Sequence, residues 1–138
     1  MKKKIRIAIY ARQAKLCNEK SYIDNQINLI LRYINVHYPK TKYEAEIEIF
    51  VDAGFSGRTI DRPGFQKMLK RERKQSFNVL AVYRLDRLGR NMEDFLNLTD
   101  ELRKLHTNLI SVKEQFDMNK TDEKFNKQIS EIEAEIIK

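Results

Sequence analysis

The stretch Tyr83-Arg84-Leu85-Asp86-Arg87-Leu88-Gly89-Arg90-Asn91 holds Arg84, Asp86, Arg87 and Arg90 within seven residues. Three cations that close to one anion repel each other, and the arrangement calls for an anion between them. A phosphate is the first candidate, because the planar guanidinium fork matches phosphate oxygens in pairs. The competing reading is a solvated loop in a lysine-rich protein. The stretch alone does not separate the two. The decision rests on whether other segments bring arginine to the same place.

An apolar run, Asn78 to Val82, leads into this stretch, and a helical pattern begins at Met92. Upstream, residues 5 to 11 read as a strand of β-formers, followed by a polar loop from Arg12 to Lys20. Ser21 is placed to cap a helix, with Asp24 three residues on. Ile23, Ile27, Ile30, Leu31 and Ile34 then recur at helical spacing until Pro39. Residues 45 to 51 alternate Ile47, Ile49 and Val51 with Glu46, Glu48 and Phe50, a second strand. A loop with two glycines follows from Asp52 to Arg58. Pro63 falls in the first turn of a second helix striped by Phe65, Met68 and Leu69. Residues 79 to 83 form the third strand. Met92, Phe95, Leu98, Leu102 and Leu105 mark a third helix, and residues 109 to 112 a fourth strand. Phe125, Ile129, Ile132 and Ile136 make a narrow apolar seam, suited to packing on another helix or a second copy, or equally to lying on the same domain.

Alternating strands and helices predict an α/β fold with a central, largely parallel sheet of four to five strands flanked by helices. A partial long helix is expected at the C-terminus. In such folds ligands bind beyond the carboxyl ends of the strands. The loops 12–20, 52–62 and 84–91 all leave strand ends, and each carries arginine. A parallel sheet would therefore gather Arg12, Arg62, Arg87 and Arg90 in one pocket, which favours the phosphate reading. No glycine-rich loop ends in Lys-Ser or Lys-Thr, so a nucleoside triphosphate is a poor fit.

Length and charge bound the partner. The 138 residues suit one domain with a proper core, and 41% hydrophobic residues are enough to fold it. A formal charge of +7 points to a polyanion, nucleic acid first and an anionic membrane surface second. No apolar run approaches a membrane span, and the lone Cys17 suits a reducing compartment, so a soluble cytoplasmic protein is expected. His37 and His106 lie far apart with no cysteine cluster near them, so no metal site is expected.

At this point the motifs resemble a known family. Tyr10-Ala11-Arg12, Ser21-Tyr22-Ile23-Asp24-Asn25-Gln26, Asp52-Ala53-Gly54-Phe55-Ser56-Gly57, Asp61-Arg62-Pro63-Gly64-Phe65 and Leu85-Asp86-Arg87-Leu88-Gly89-Arg90-Asn91 are similar, in order and spacing, to the catalytic domain of the serine recombinases. This is the resolvase and invertase group, and the likeness is greatest to its longer integrase and transposase members. Glu114-Gln115-Phe116-Asp117 fits the segment after the fourth strand, and the resemblance covers residues 5 to 118. It implies strand cleavage of double-stranded DNA by a serine hydroxyl through a 5′-phosphoserine link, then strand exchange and religation, with no metal or other cofactor. It implies phosphate clamping by Arg12, Arg87 and Arg90, with Arg62 as a further contact. Asp86 would hold the arginines, Gln26 would orient nucleophile or phosphate, and Ser56 and Tyr10 would support substrate binding. It also implies dimers that pair into tetramers.

Two departures stand out. The pattern Tyr-Ala-Arg, one variable residue, then the nucleophilic serine meets Ala14 here. A methyl group cannot attack phosphorus, and loss of a nucleophile costs on the order of a millionfold in rate. The chain as written is expected to be inactive, and the intact arginine set favours a serine replaced in an otherwise active recombinase over a naturally inactive relative. A non-enzymatic DNA-binding or oligomerisation regulator with the same fold is the alternative, and a sensor of small phospholigands ranks below both. The second departure is the tail. Residues 1–119 are expected to form the catalytic domain and 120–138 the start of a C-terminal helix for self-association, without the usual Gly-Arg opening. The DNA-binding domain is expected to lie outside this chain.

Overall fold

Strands and helices alternate along the chain as the hydrophobic periodicity predicts. The computed structural model describes residues 2–13, 21–53, 63–85 and 92–119. Within them, β1 (Lys3–Gln13), α1 (Ser21–His37), β2 (Tyr43–Ala53), α2 (Pro63–Lys74), β3 (Val79–Val82), α3 (Met92–Lys104), β4 (Asn108–Ser111) and β5 (Phe116–Asp117) follow in order. The sheet runs β2-β1-β3-β4-β5. β1 pairs in parallel with both β2 and β3, β3 with β4, and only β5 is antiparallel. The fold is α/β with a mostly parallel five-stranded sheet, as expected. The fifth strand is two residues long, joined to β4 by a tight turn in which Gln115 adopts φ 53°.

This order divides the helices between the two faces. The chain steps from β1 outward to β2 through α1, then returns past β1 to β3 through α2. Right-handed crossovers in opposite directions must place their helices on opposite faces. Accordingly Ile30 and Ile34 of α1 pack with Ile5, Ile7 and Ile9 on one face. On the other, Phe65 and Met68 of α2 and Phe95 and Leu102 of α3 pack with Tyr10, Phe50 and Leu80.

The edge strand departs from the simple alternation. Ile47, Ile49 and Val51 share a face with Ile7, Ile9 and Ala11, their register partners, yet they remain 38–44% exposed, while Phe50 on the opposite face is buried. The buried partners of α1 belong to β1, β3 and β4, so β2 receives little cover on that side.

Helix α2 is held at both ends by a buried carboxyl group. At its start, Asp52 accepts hydrogen bonds from the Gly64 and Phe65 amides (2.7 and 2.9 Å). Pro63 has no N–H to offer, so Asp52 satisfies the next two orphan donors of the first turn. At its far end, Glu72 accepts from the Phe77 amide (3.1 Å) and contacts the Thr107 hydroxyl. The Thr107 hydroxyl also lies 2.7 Å from the Phe77 carbonyl oxygen. The single Thr107 hydroxyl proton is thus shared between the Glu72 carboxyl and the Phe77 carbonyl oxygen. Burial pushes the Glu72 carboxyl above its ordinary range, outweighing the lowering effect of the Thr107 and Phe77 hydrogen bonds and of Arg6. Thr107 is brought there by the end of α3. His106 takes a left-handed conformation (φ 60°), and Thr107 N–H and His106 N–H return to the Leu102 and Arg103 carbonyls. This is the paired bonding of a Schellman cap, with histidine where glycine is commoner.

Candidate active site

Alternation along β1 sends Ala8, Tyr10 and Arg12 to the face covered by α2. Arg12 is 5% exposed, an unusual degree of burial for a guanidinium. Its main chain is fixed from the opposite face. The Gln26 side-chain amide of α1 accepts from Arg12 N–H (3.3 Å) and donates to the Arg12 carbonyl (3.4 Å). Gln26 thus grips the backbone two residues before position 14. Both its polar groups are engaged there.

Tyr10 serves the same corner. Its hydroxyl donates to Asp52 Oδ2 at 2.8 Å, and its ring meets Phe65 edge-on at 5.3 Å between centroids. Asp52 therefore accepts three hydrogen bonds while 2% exposed, and ties β1, β2 and the start of α2 together. Gly64 permits this approach. A Cβ there would lie 2.6 Å from the Val51 carbonyl oxygen.

The exit of β3 is fixed by the segment after β4. Glu114 accepts from the Leu85 amide (3.1 Å) and contacts the Ser111 hydroxyl. Lys113 N–H donates to the Tyr83 carbonyl (2.9 Å). Leu85, buried beneath, is the last described residue before the Asp86, Arg87 and Arg90 segment.

In register, Arg12 lies opposite Asp52, and Tyr10 opposite Val82. The carboxyl ends of β2, β1 and β3 therefore stand side by side, and adjacent strands are about 4.8 Å apart. The loops predicted to carry the arginines leave from three neighbouring strands within about 10 Å. This is also where the connections reverse direction, between β1 and β3, the place where open α/β sheets bind ligands. Of the predicted site residues, the structure brings Tyr10, Arg12 and Gln26 together. Ala14, Ser56, Arg62, Asp86, Arg87 and Arg90 lie outside the described residues, as does the 125–136 seam. Arg84, just before them, is half-buried. Among the described residues no three His, Cys, Asp or Glu side chains are grouped to hold a metal ion, and no helix is long and apolar enough to cross a membrane.

Sequence reasoning passed over two supports. Asp52 and Glu114 each appear inside a motif, yet neither receives a role there. Asp at the end of an apolar strand, eleven residues before a Pro-Gly helix start, is the signal that could have identified the first. Nothing local marks Glu114 as the tether of Leu85, 29 positions away.

Comparison with known proteins points the same way. The family described as Resolvase, N terminal domain, matches residues 7–138. The Transposon Tn552 resolvase of Staphylococcus aureus is 35% identical over 91 residues, 66% of this chain and 45% of that protein. The Serine recombinase gin of Escherichia phage Mu is 41% identical over 70 residues, 51% of this chain and 35% of that protein. The chain thus spans less than half the length of either relative. The crystal structure of the N-terminal catalytic domain of TP901-1 integrase superimposes with a TM-score of 0.73 at 28% identity, covering 94% of this chain and 92% of that one. A resolvase family site-specific recombinase from Streptococcus pneumoniae gives 0.67 at 25% identity, covering 96% and 90%.

Proposed function

The chain belongs to the Resolvase, N terminal domain, family, the catalytic-domain family of the serine recombinases, and on that premise we propose that it is the catalytic domain of a site-specific DNA recombinase whose nucleophile position is occupied by Ala14. The observation that carries this reading is the adjacency of the β1, β2 and β3 ends around the buried Arg12. A phosphoryl group in transfer spreads negative charge over its equatorial oxygens, and arginines fixed in advance stabilise it without reorganising. In this reading Arg12, Arg87 and Arg90 clamp the scissile phosphate, Arg62 adds a contact, and Asp86 aligns the guanidinium groups. Gln26 acts through the backbone of Arg12, and Tyr10 through Asp52. Ser56 supports the substrate from the second loop.

With serine at position 14, the hydroxyl oxygen would bond to phosphorus as the bond to the 3′ oxygen breaks. The serine proton would leave the attacking oxygen, and the 3′ oxygen would depart as a hydroxyl. The resulting 5′-phosphoserine link is reversed by a 3′-hydroxyl after subunits exchange places. Double-stranded DNA is then the substrate, self-association into dimers and tetramers accompanies exchange, and the site of action is cytoplasmic, where the DNA is. Residues 1–119 would be the catalytic unit and 120–138 a helical segment for self-association. Sequence preference would reside in a DNA-binding region beyond this chain. An inactive regulator with the same fold is the second reading, and Ala14 itself favours it.

The test is Ala14→Ser. The restored full-length protein, incubated with duplex DNA carrying its site and quenched in denaturant, is expected to yield a protein–DNA adduct through the 5′ phosphate. The adduct should disappear again in Ala14→Ser/Arg12→Ala. Absence of any adduct from the folded Ala14→Ser protein on its own site would sink the recombinase reading in favour of the regulator.

A further inference from the structure

Helix α2 carries five cations in twelve residues: Lys67, Lys70, Arg71, Arg73 and Lys74. All five are exposed. Its single acid, Glu72, is 3% exposed and turned into the core against Thr107 and Phe77, so the helix shows solvent no carboxylate of its own. Two of the cations have half-buried partners, Arg71 with Glu48 (3.0 Å) and Arg73 with Glu101 (2.6 Å). The Arg71 pair holds its members weakly, whereas Arg73 grips Glu101 with two donors and lies off the stripe formed by Lys67, Lys70, Arg71 and Lys74. Lys67, Lys70 and Lys74 have no ion-pair partner among the described residues.

The helix dipole explains only part of this. Cations in the last turn complement the partial negative charge at a helix C-terminus, which suits Arg71, Arg73 and Lys74. It does not suit Lys67 in the first half or Lys70 ahead of the last turn, nor a first turn without an acid, since that end favours anions. Lys67, Lys70, Arg71 and Lys74 follow i, i+3, i+4, i+7 spacing and so share one stripe, about 10 Å long at 1.5 Å per residue. The stripe continues past the helix end. Arg6 is fixed there by hydrogen bonds to the Gln75 and Ser76 carbonyls (both 3.1 Å) and by its seat over the Phe77 ring, 4.7 Å from the centroid. Arg6, Arg71, Lys74 and Gln75 line a recess of about 430 Å³, open on its outer side.

We propose that this stripe is a second contact for the phosphate backbone of duplex DNA. It leads from the start of α2, beside the candidate active site, toward the opposite end of the sheet. The identity of the polyanion rests on the recombinase reading. Each strand of duplex DNA presents one charge per roughly 3.4 Å of axis, so a stripe of this length faces about three phosphates of one strand. The contact reads no sequence. It holds the duplex against the catalytic domain while the arginine loops engage one phosphate.

The test uses the 138-residue chain and a random-sequence duplex, with affinity measured by fluorescence anisotropy across a salt series. Lys67→Ala/Lys70→Ala/Lys74→Ala is expected to weaken binding and to lower the slope of log affinity against log salt by up to about 2.7, three contacts at about 0.9 each. Lys2→Ala/Lys40→Ala/Lys42→Ala removes equal charge from another exposed region and is expected to leave the slope unchanged. Circular dichroism melting of each variant establishes that both remain folded. The proposal is overturned if the two triples lower the slope equally, if the α2 triple does not lower it, or if the parent chain binds no duplex at low salt. The Ala14→Ser adduct assay keeps the two ideas apart. An adduct with an unaltered slope removes the α2 contact alone, whereas a lowered slope without an adduct keeps the contact and removes the recombinase.

Discussion

Replacing Asp52 with asparagine changes one oxygen to an amide nitrogen and asks the site to keep three donors with one acceptor atom fewer. Oδ1 accepts from Gly64 N–H, and Oδ2 from Phe65 N–H and the Tyr10 hydroxyl. The better orientation keeps the amide oxygen at the Oδ2 position and turns NH₂ toward Gly64 N–H, leaving two donors face to face in a buried site. An unsatisfied buried donor costs about 1–3 kcal/mol, and losing a negative charge at the first turn of a helix costs about 0.3–2 kcal/mol more. Removing the desolvation of the carboxylate returns part of this, so Asp52→Asn is expected to destabilise by about 2–4 kcal/mol. For a domain of this size that is a fall of roughly 6–15 °C in Tm. Thermal and urea denaturation followed by circular dichroism measures it. Tyr10→Phe in the same assay should cost about 1.5–3 kcal/mol, because its hydroxyl bonds a charged group. The double variant should fall short of the sum, because the two groups share one network. An Asp52→Asn protein within about 0.5 kcal/mol of the parent would mean that the carboxylate does not clasp α2 to the sheet, a size of effect expected of an ordinary surface change.

Two further outcomes follow from the ends of α2. Because burial raises the Glu72 carboxyl above its ordinary 4.5, the folded protein binds that proton more tightly than the unfolded chain does. The stability from this group is therefore complete below pH 4.5 and is lost as pH climbs through the raised value. Glu72→Gln imitates the protonated acid, so its stability relative to the parent should grow over that same rise in pH, measured by urea midpoints across the range; a constant difference would refute the raised carboxyl. Gly64→Ala drives a methyl group against the Val51 carbonyl oxygen and is expected to lower stability by about 1–3 kcal/mol in the same titrations, whereas an unchanged midpoint would show that α2 can retreat without cost.

Much of the fold is legible because its periods are clean. The β-former run of residues 5 to 11 is a strand buried from Ile7 to Ala11, and the helical spacing of Ile23, Ile27, Ile30, Leu31 and Ile34 marks a face on which Ile30 and Ile34 are fully buried and Ile27 and Leu31 half-buried. The strand order is not written in any local pattern; it follows from crossover handedness and from which helix covers which face. The β2 alternation illustrates the limit. Ile47, Ile49 and Val51 form the more apolar phase, yet Phe50 from the other phase enters the core, because an edge strand extends beyond the helix that would cover it. At the candidate site, arginine and loop positions are visible in sequence because chemistry restricts them to few residue types. The supports are not, because Gln26 with Arg12, Asp52 with Gly64 and Glu114 with Leu85 are contacts between separate elements. Gln26 illustrates what that hides, since its amide holds the main chain of Arg12 at both polar groups.

β2 is an edge strand with one face left without a helix. An eleven-residue edge strand with an apolar stripe would ordinarily invite another strand to add to the sheet. Glu44, Glu46 and Glu48 lie on its other face, opposite the stripe. Two such edges related by a two-fold axis through the sheet would keep like face beside like face, setting one row of glutamates against the other. Like charges directly opposite one another across a strand pair are destabilising. The same residues that make β2 look half polar in sequence thus act as gatekeepers, leaving the isoleucine and valine stripe open to side-chain packing while discouraging the continuous sheets that lead to aggregation.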